Sequence, residues 1–301
     1  MDDAIRKAGV LVEALPYIRQ FRDKLVVIKI GGSYMENERA LTDTLEDIAF
    51  MEAVGMRPIV VHGGGKAITR AMERAGLAAR FVQGRRYTDE ATLAIVAAVL
   101  VDEINDDIVR RIEELGGRAA GLHHQTSQCL FGQQTFLNGP SGERLDLGRV
   151  GEVTRVDERL IRNLSEAGVV PVIPCLAIDE TFRTNPPEVE HLLNVNADTA
   201  AAAVACQLEV EKLVVLTDTT GIWLNRSDPN SKAASLTVAE CRSLIANGVV
   251  DAGMIPKVEA CFTALAAGVR KTHIIDGRVP HSLLLEIFTD KGVGTEIVDR
   301  P

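Results

Sequence analysis

Five short, almost wholly aliphatic runs with helix-length segments among them constrain the fold of this chain more than any other feature. They are LVVIKI (25–30), PIVVH (58–62), VVPVIP (169–174), KLVVLTD (212–218) and KTHIID (271–276). The absence of polar alternation suits strands covered on both faces, and strands alternating with helices build parallel βαβ units. The expected fold class is therefore α/β, a three-layer αβα sandwich with a largely parallel central sheet. Helices are expected from beyond Gly32 to Phe50, after Gly65 and from Glu90 to Leu115. Between Gly117 and Val156 the chain turns polar, with turn signals at Asn138-Gly139-Pro140 and Ser141-Gly142. That stretch predicts hairpins at the edge of the main sheet, and the acidic, proline-bearing segment 179–191 predicts a loop.

Ahead of the first strand, Leu11, Ala14, Leu15, Ile18 and Phe21 recur at helical spacing, with Pro16 among them. A proline there deletes a backbone hydrogen bond and clashes with the preceding turn, so a kinked helix is expected. Its apolar face needs a partner, either its own domain or another subunit.

Composition excludes several classes of function. Across 301 residues the formal net charge is -9, the wrong sign for a phosphate-backbone partner, so no nucleic acid is expected. No apolar run reaches membrane-spanning length and the N-terminus lacks a secretory pattern, which makes a reducing cytoplasm the expected compartment. Cys129, Cys175, Cys206, Cys241 and Cys261 contain no C-x-x-C pair, so no metal site is expected.

Ligands of open α/β sheets bind beyond the carboxyl ends of the strands. Three glycine-bearing turns fall there: Gly31-Gly32, Gly63-Gly64-Gly65 and Thr219-Thr220-Gly221. Glycine admits close backbone approach and a following helix N-terminus attracts an anion, although for any single cluster a tight turn is the favoured reading. A P-loop is excluded because Ala67 follows Gly65-Lys66, and Ile68 stands where a dinucleotide fingerprint needs glycine.

Two lysines are out of place for a plain fold. Lys29 ends an apolar strand, where an ammonium either snorkels or faces an anion. Lys257 follows Pro256 at an expected helix N-terminus, where the dipole disfavours a cation unless an anion is close. Asp198, before an apolar helix expected over Thr199–Leu208, reads equally well as an N-cap. Two lysines, one aspartate and three glycine turns suit phosphoryl transfer, which needs in-line positioning and charge neutralisation rather than covalent help.

In order along nearly the whole chain come Ile28-Lys29-Ile30-Gly31-Gly32, Val61-His62-Gly63-Gly64-Gly65 and Gly84-Arg85-Arg86-Tyr87-Thr88-Asp89. Then follow Asn194-Val195-Asn196-Ala197-Asp198, Leu216-Thr217-Asp218-Thr219-Thr220-Gly221-Ile222 and Gly253-Met254-Ile255-Pro256-Lys257-Val258. With this series the chain resembles the amino-acid kinase family, and within it the branch acting on N-acetyl-L-glutamate in arginine biosynthesis. The resemblance implies transfer of the terminal phosphoryl group of ATP, with Mg2+, to the side-chain carboxylate of that acceptor. It implies two lobes, residues 24–209 for the acyl amino acid and residues 210–301 for the nucleotide, after an oligomerisation helix at 1–23. It implies that Lys29 and Lys257 stabilise the moving phosphoryl group and that Asp198 orients both. Gly63, Gly64, Gly65, Arg86 and Asn194 would hold the acceptor, and Arg86 has the planar fork that pairs with a carboxylate. Gly31, Gly32, Thr217, Asp218, Thr219, Gly221 and Ile222 would line the nucleotide site.

The N-terminal Glu13-Ala14-Leu15-Pro16-Tyr17-Ile18 and the C-terminal His273-Ile274-Ile275-Asp276-Gly277 and Leu285-Glu286-Ile287-Phe288-Thr289 are similar to hexameric, arginine-inhibited members. That similarity implies an L-arginine effector site at Tyr17, His273, Glu286 and Gly292, and a homo-oligomer, dimer or hexamer. Departures from the family pattern lie near the acceptor: Ser33-Tyr34-Met35, Lys66-Ala67-Ile68 and the histidine-bearing Gly121-Leu122-His123-His124-Gln125-Thr126-Ser127-Gln128. They keep open a kinase for another N-acylated acidic amino acid, or a non-catalytic amino-acid sensor. Neighbouring strand side chains face opposite ways, so His123 and His124 are read as a lid or edge hairpin rather than metal ligands.

Overall fold

Each aliphatic run becomes a parallel strand of one eight-stranded sheet in the computed structural model, which describes residues 1–139, 141–182, 188–225, 228, 231–289 and 292–299. The strands are β1 (Leu25–Ile30), β2 (Arg57–His62), β3 (Phe81–Val82), β4 (Arg85–Arg86), β5 (Ala119–Gly121), β6 (Leu130–Asn138) and β7 (Arg144–Val156). They continue with β8 (Val170–Pro174), β9 (Leu176–Asp179), β10 (Leu192–Val195), β11 (Lys212–Thr217), β12 (Ser235–Thr237), β13 (Lys271–Asp276) and β14 (Thr295–Val298). The main sheet runs β12-β14-β13-β11-β1-β2-β8-β5, and only the β13–β14 pair is antiparallel.

The helices are α1 (Asp2–Phe21), α2 (Glu38–Ala53), α3 (Gly65–Arg74), α4 (Glu90–Ala98), α5 (Asp106–Glu114) and α6 (Glu158–Glu166). The C-terminal half adds α7 (Ala197–Leu208), α8 (Val238–Ala246), α9 (Ile255–Ala266) and α10 (Ser282–Phe288). Alternate strand residues feed two cores. Val26, Ile28, Ile30, Val214 and Leu216 pack under Leu45 and Ile48 of α2, Ile108 and Ile112 of α5, and Leu283 of α10. Val27, Val61, Leu213 and Val215 pack under Leu93 of α4, Val204 of α7 and Val258 and Ala264 of α9. Each such fully buried aliphatic contributes about 1.5–3 kcal/mol, so the sandwich is held by the runs that define it. The αβα class stands.

Three expectations change. The region 117–156 does form a hairpin, β6–β7, but not at the edge of the main sheet, where it supplies only the short parallel β5. Instead β6 and β7 join β9 and β10 in a separate four-stranded sheet that closes on itself. The pairing depends on partners far along the chain, which local turn signals cannot disclose. The helix expected over 90–115 contains a π-helical segment, Val99–Asn105, between α4 and α5. Beyond Gly121, which ends β5, residues 122–128 are neither hairpin nor strand: His123 is buried in a turn closed by Thr126, whose hydroxyl donates to the carbonyl of Gly121.

Helix α1 runs through Pro16 and docks its last third on the sandwich. Phe21 is a core residue, and the Tyr17 ring meets Phe288 edge-on at 6.4 Å. Its other end exposes Ile5, Val10, Leu11 and Val12. Of the segment 179–191 expected as a loop, Asp179 ends β9 and Val189–His191 form a 3-10 turn, while residues 183–187 lie outside the described residues, as does Pro140. Among the described residues no helix is long and apolar enough to cross a membrane.

Candidate active site

The switch point of the sheet lies at β1, because the chain leaves it toward β2 on one side and later occupies β11 on the other. Ligands of open sheets collect at that crevice. Lys29 lies one residue before the carboxyl end of β1, with only 5% of its side chain exposed. Its ammonium lies 2.8 Å from Asp198 Oδ1, while the Lys257 ammonium lies 3.3 Å from Oδ2 of the same carboxylate. Three residues separated by up to 228 positions therefore share one point (257 minus 29).

Local structure explains each placement. A side chain at Gly31 would put its Cβ 2.6 Å from the Lys29 nitrogen, so glycine there leaves room for the lysine to lie over the turn. Asp198 sits in the first turn of α7 but is not its cap. Asn196 is, its Oδ1 accepting from the amides of Asp198 at 2.9 Å and Thr199 at 3.1 Å, which frees the Asp198 carboxylate for the lysines. Lys257 stands beside Pro256 in the first turn of α9 and also donates to the carbonyl of Gly253 at 3.2 Å. Burial alone would raise the Asp198 carboxyl, yet Lys29 and Lys257 hold it below the usual carboxylate value.

Two adjoining clefts of about 630 and 240 Å³ open here and share Gly32, Gly64, Gly65, Phe81 and Arg86. The smaller is lined by Lys29, Gly31, Gly63, Asn194 and Asp198, the larger also by Asp218. Arg86 is 8% exposed, and burial lowers its guanidinium from its ordinary value. Among the described residues its acceptors are neutral: Gly65 O at 2.9 Å, Thr69 Oγ1 at 2.7 Å and Met72 Sδ at 3.1 Å, with the Phe81 ring 4.8 Å beneath. A buried cation without a counter-charge at the mouth of a cleft calls for an anionic ligand. Asn194 donates to Thr88 Oγ1 at 3.1 Å, which fixes its amide at the wall of the smaller cleft.

The stretch after β11 divides. Asp218 faces the larger cleft, and the hydroxyls of Thr219 and Thr220 are buried with no protein partner. Thr217 is buried at the strand end. Ile222 is tied into the fold, its amide donating to Thr295 Oγ1 at 2.9 Å and its side chain lying in the core, and a Cβ at Gly221 would lie 2.6 Å from the same Thr295 Oγ1. Sequence reasoning gave no role to Thr69, Thr88 and Phe81, because their value lies in contacts across the fold.

Residues 24–276 match the amino acid kinase family. The chain belongs to that family. The acetylglutamate kinase of Pelotomaculum thermopropionicum is 48% identical over 97% of both chains, and that of Heliobacterium modesticaldum is 44% identical over 98% of this chain and 99% of its own. Among solved structures, N-acetylglutamate synthase from Neisseria gonorrhoeae superposes with a TM-score of 0.82 at 24% identity, covering 98% of this chain and 64% of the synthase. Giardia lamblia carbamate kinase bound to AMP-PNP superposes with a TM-score of 0.62 at 17% identity over 92% of this chain and 99% of its own. At those identities the solved structures speak for the amino acid kinase fold alone.

A third cavity, of about 430 Å³, lies away from the switch point, and Tyr17, His273, Glu286 and Gly292 all line it. Two of its side chains are buried as a pair: His273 Nδ1 stands 2.5 Å from Glu286 Oε1, with each side chain 6% exposed. His273 reaches the cavity from β13 and Glu286 from α10. Burial opposes the Glu286 charge, but His273 and the amide of Val293 hold its carboxyl below the ordinary value.

Proposed function

We propose that this chain is an ATP-dependent kinase that phosphorylates the side-chain carboxylate of N-acetyl-L-glutamate, forming N-acetyl-L-glutamyl 5-phosphate for arginine biosynthesis. The observation that carries this is the convergence of Lys29 and Lys257 on Asp198 between two glycine turns. In the reaction a carboxylate oxygen of the acceptor attacks the terminal phosphorus as the bond to the bridging oxygen breaks, leaving ADP. The two ammonium groups neutralise charge on the group in flight, and the glycine amides cradle it.

The state of Asp198 favours a carboxylate acceptor over an alcohol. An alcohol must lose a proton, and a carboxylate held below its ordinary pKa between two lysines is a poor base. A glutamyl side chain, with an ordinary pKa of about 4.3, arrives already ionised. Arg86 and Asn194 are assigned to the acceptor's α-carboxylate and Gly63, Gly64 and Gly65 to its side chain. Gly31, Gly32, Asp218 and the hydroxyls of Thr219 and Thr220 are assigned to the nucleotide. The lobes divide accordingly at residues 24–209 and 210–301.

Both oxygens of Asp198 are engaged by lysines, so that carboxylate is not free to hold magnesium. Mg2+ would arrive on the nucleotide's phosphates and neutralise part of their charge. The five cysteines are free thiols, which suits a reducing cytoplasm.

A hydroxylamine trap for acyl phosphate tests the assignment with N-acetylglutamate, glutamate and N-acetyl-aminoadipate. Signal with N-acetylglutamate alone is expected. Preference for the longer acceptor would make this a sister kinase, and silence with all three would leave an amino-acid sensor.

The cavity at Tyr17, His273, Glu286 and Gly292 is assigned to an L-arginine effector, since Glu286 offers a buried carboxylate to a guanidinium. Glu286→Gln is expected to weaken arginine binding by roughly 10- to 100-fold in calorimetric titration, as loss of a charged hydrogen bond predicts. Equal affinity would send arginine elsewhere. The exposed Ile5, Val10, Leu11 and Val12 of α1 are assigned to contacts between dimers of a hexamer. Removal of residues 1–14, which spares the core residue Phe21, is expected to convert hexamers to dimers in light scattering. An unchanged mass would dispose of that role for the helix.

A further inference from the structure

The long helix above the glycine turns changes sides within its length. Leu93 and Val96 of α4 belong to one core, whereas Ile108 and Ile112 of α5 belong to the other. Between them the π-helical Val99–Asn105 crosses the carboxyl ends of β2 and β8. Single π-helical turns inside α-helices recur at functional sites.

Asn105, the last residue of that segment, is wholly buried. Its Nδ2 lies 3.0 Å from the carbonyl of Val172 and 3.0 Å from His62 Nε2. A backbone carbonyl can only accept, so the amide atom facing it is the NH2 group, and the imidazole must meet that group with a lone pair. The ring proton is then on Nδ1, which lies 3.4 Å from the carbonyl of Gly63. Burial favours the same neutral ring by pushing the His62 pKa down to about 4.

The consequence reaches the cleft through peptide geometry. In a trans peptide the carbonyl and the following N–H point in opposite directions. With the Gly63 carbonyl turned toward His62, the Gly64 N–H turns away from it, and Gly64 lines the same cleft as Lys29 and Asp198. Leu100 and Ile104 of the same π-helical segment press on the other side. A Cβ at Gly64 would lie 2.9 Å from Leu100 Cδ2 and 2.6 Å from Ile104 Cδ1. Packing alone does not explain an asparagine at this place, since its Oδ1 is buried without a protein partner and a leucine of similar size would avoid that loss.

We propose that Asn105 is a positioning residue of the transfer site: by holding His62 as its Nδ1–H tautomer, it aims the Gly64 amide at the group in flight. The proposal rests on the phosphoryl transfer assigned above. Asn105→Leu keeps the volume and removes the donor. It is expected to lower kcat about 10- to 100-fold, as a misaimed transition-state donor should, with the KM for ATP within about twofold. In the full chain labelled with 15N-histidine, the His62 ring of the unsubstituted protein is expected to report Nδ1–H, and the variant to shift toward Nε2–H. A variant with unchanged kcat overturns the inference, and so does an unsubstituted ring already in the Nε2–H form, a measurement that needs no variant to fold. Failure of the parent chain to make acyl phosphate at all would instead overturn the kinase assignment.

Discussion

Lys257→Ala is expected to lower kcat by about 10²- to 10³-fold while moving the KM for N-acetylglutamate less than about threefold. The split follows from where the lysine stands. Its ammonium reaches Asp198 and the carbonyl of Gly253, and it lines neither of the two clefts that contain Arg86. In the proposed assignment its charge is needed when phosphoryl oxygens crowd the transfer point, whereas the acceptor would be held by Arg86 and Asn194. An interaction made only in the transition state lowers kcat and kcat/KM together and leaves ground-state binding alone. The variant should fold, because Lys257 is the more exposed of the two lysines and Asp198 keeps Lys29 as a partner. Acyl-phosphate trapping across a range of acceptor concentrations gives both constants. Equal loss in binding and turnover would move Lys257 from the transfer point to the acceptor site.

What the sequence disclosed and what it hid divide along local and distant causes. Lys29 was legible because an ammonium on an aliphatic strand before two glycines violates the pattern around it. Its partner was half legible: Asp198 looked like a helix cap, and only the fold shows Asn196 taking that duty. Arg86 had the fork of a carboxylate binder, but only the fold shows it buried against Thr69 and Phe81. The π-helical segment left no mark, since Leu93, Val96 and Leu100 keep an ordinary helical rhythm into it. The closed sheet of β6, β7, β9 and β10 was equally hidden, because β6 meets β9 across a separation that no turn signal spans. Ile222 matched a nucleotide motif, yet it owes its place to Thr295, 73 residues on.

Asp198→Asn is expected to remove both activity and stability, and pH separates the two effects. The substitution leaves Lys29 buried without a counter-charge, and breaking a buried pair in that way costs roughly 3–5 kcal/mol. With the lysines no longer drawn to one point, kcat should fall by at least about 10²-fold. The sign of the pH effect follows from the depressed carboxyl. In the unfolded chain Asp198 takes up a proton near pH 3.9, roughly, while in the folded protein it resists until lower pH. Its stabilisation is therefore complete above the unfolded value and is lost as pH falls through the folded one. Urea midpoints of parent and variant should differ by a constant amount from neutrality to about pH 5, and the gap should narrow below about pH 4. Should the gap widen on acidification, Asp198 would be a carboxyl raised by burial rather than lowered by its lysines. The paired ammonium groups would then lack the anchor on which the transfer geometry depends.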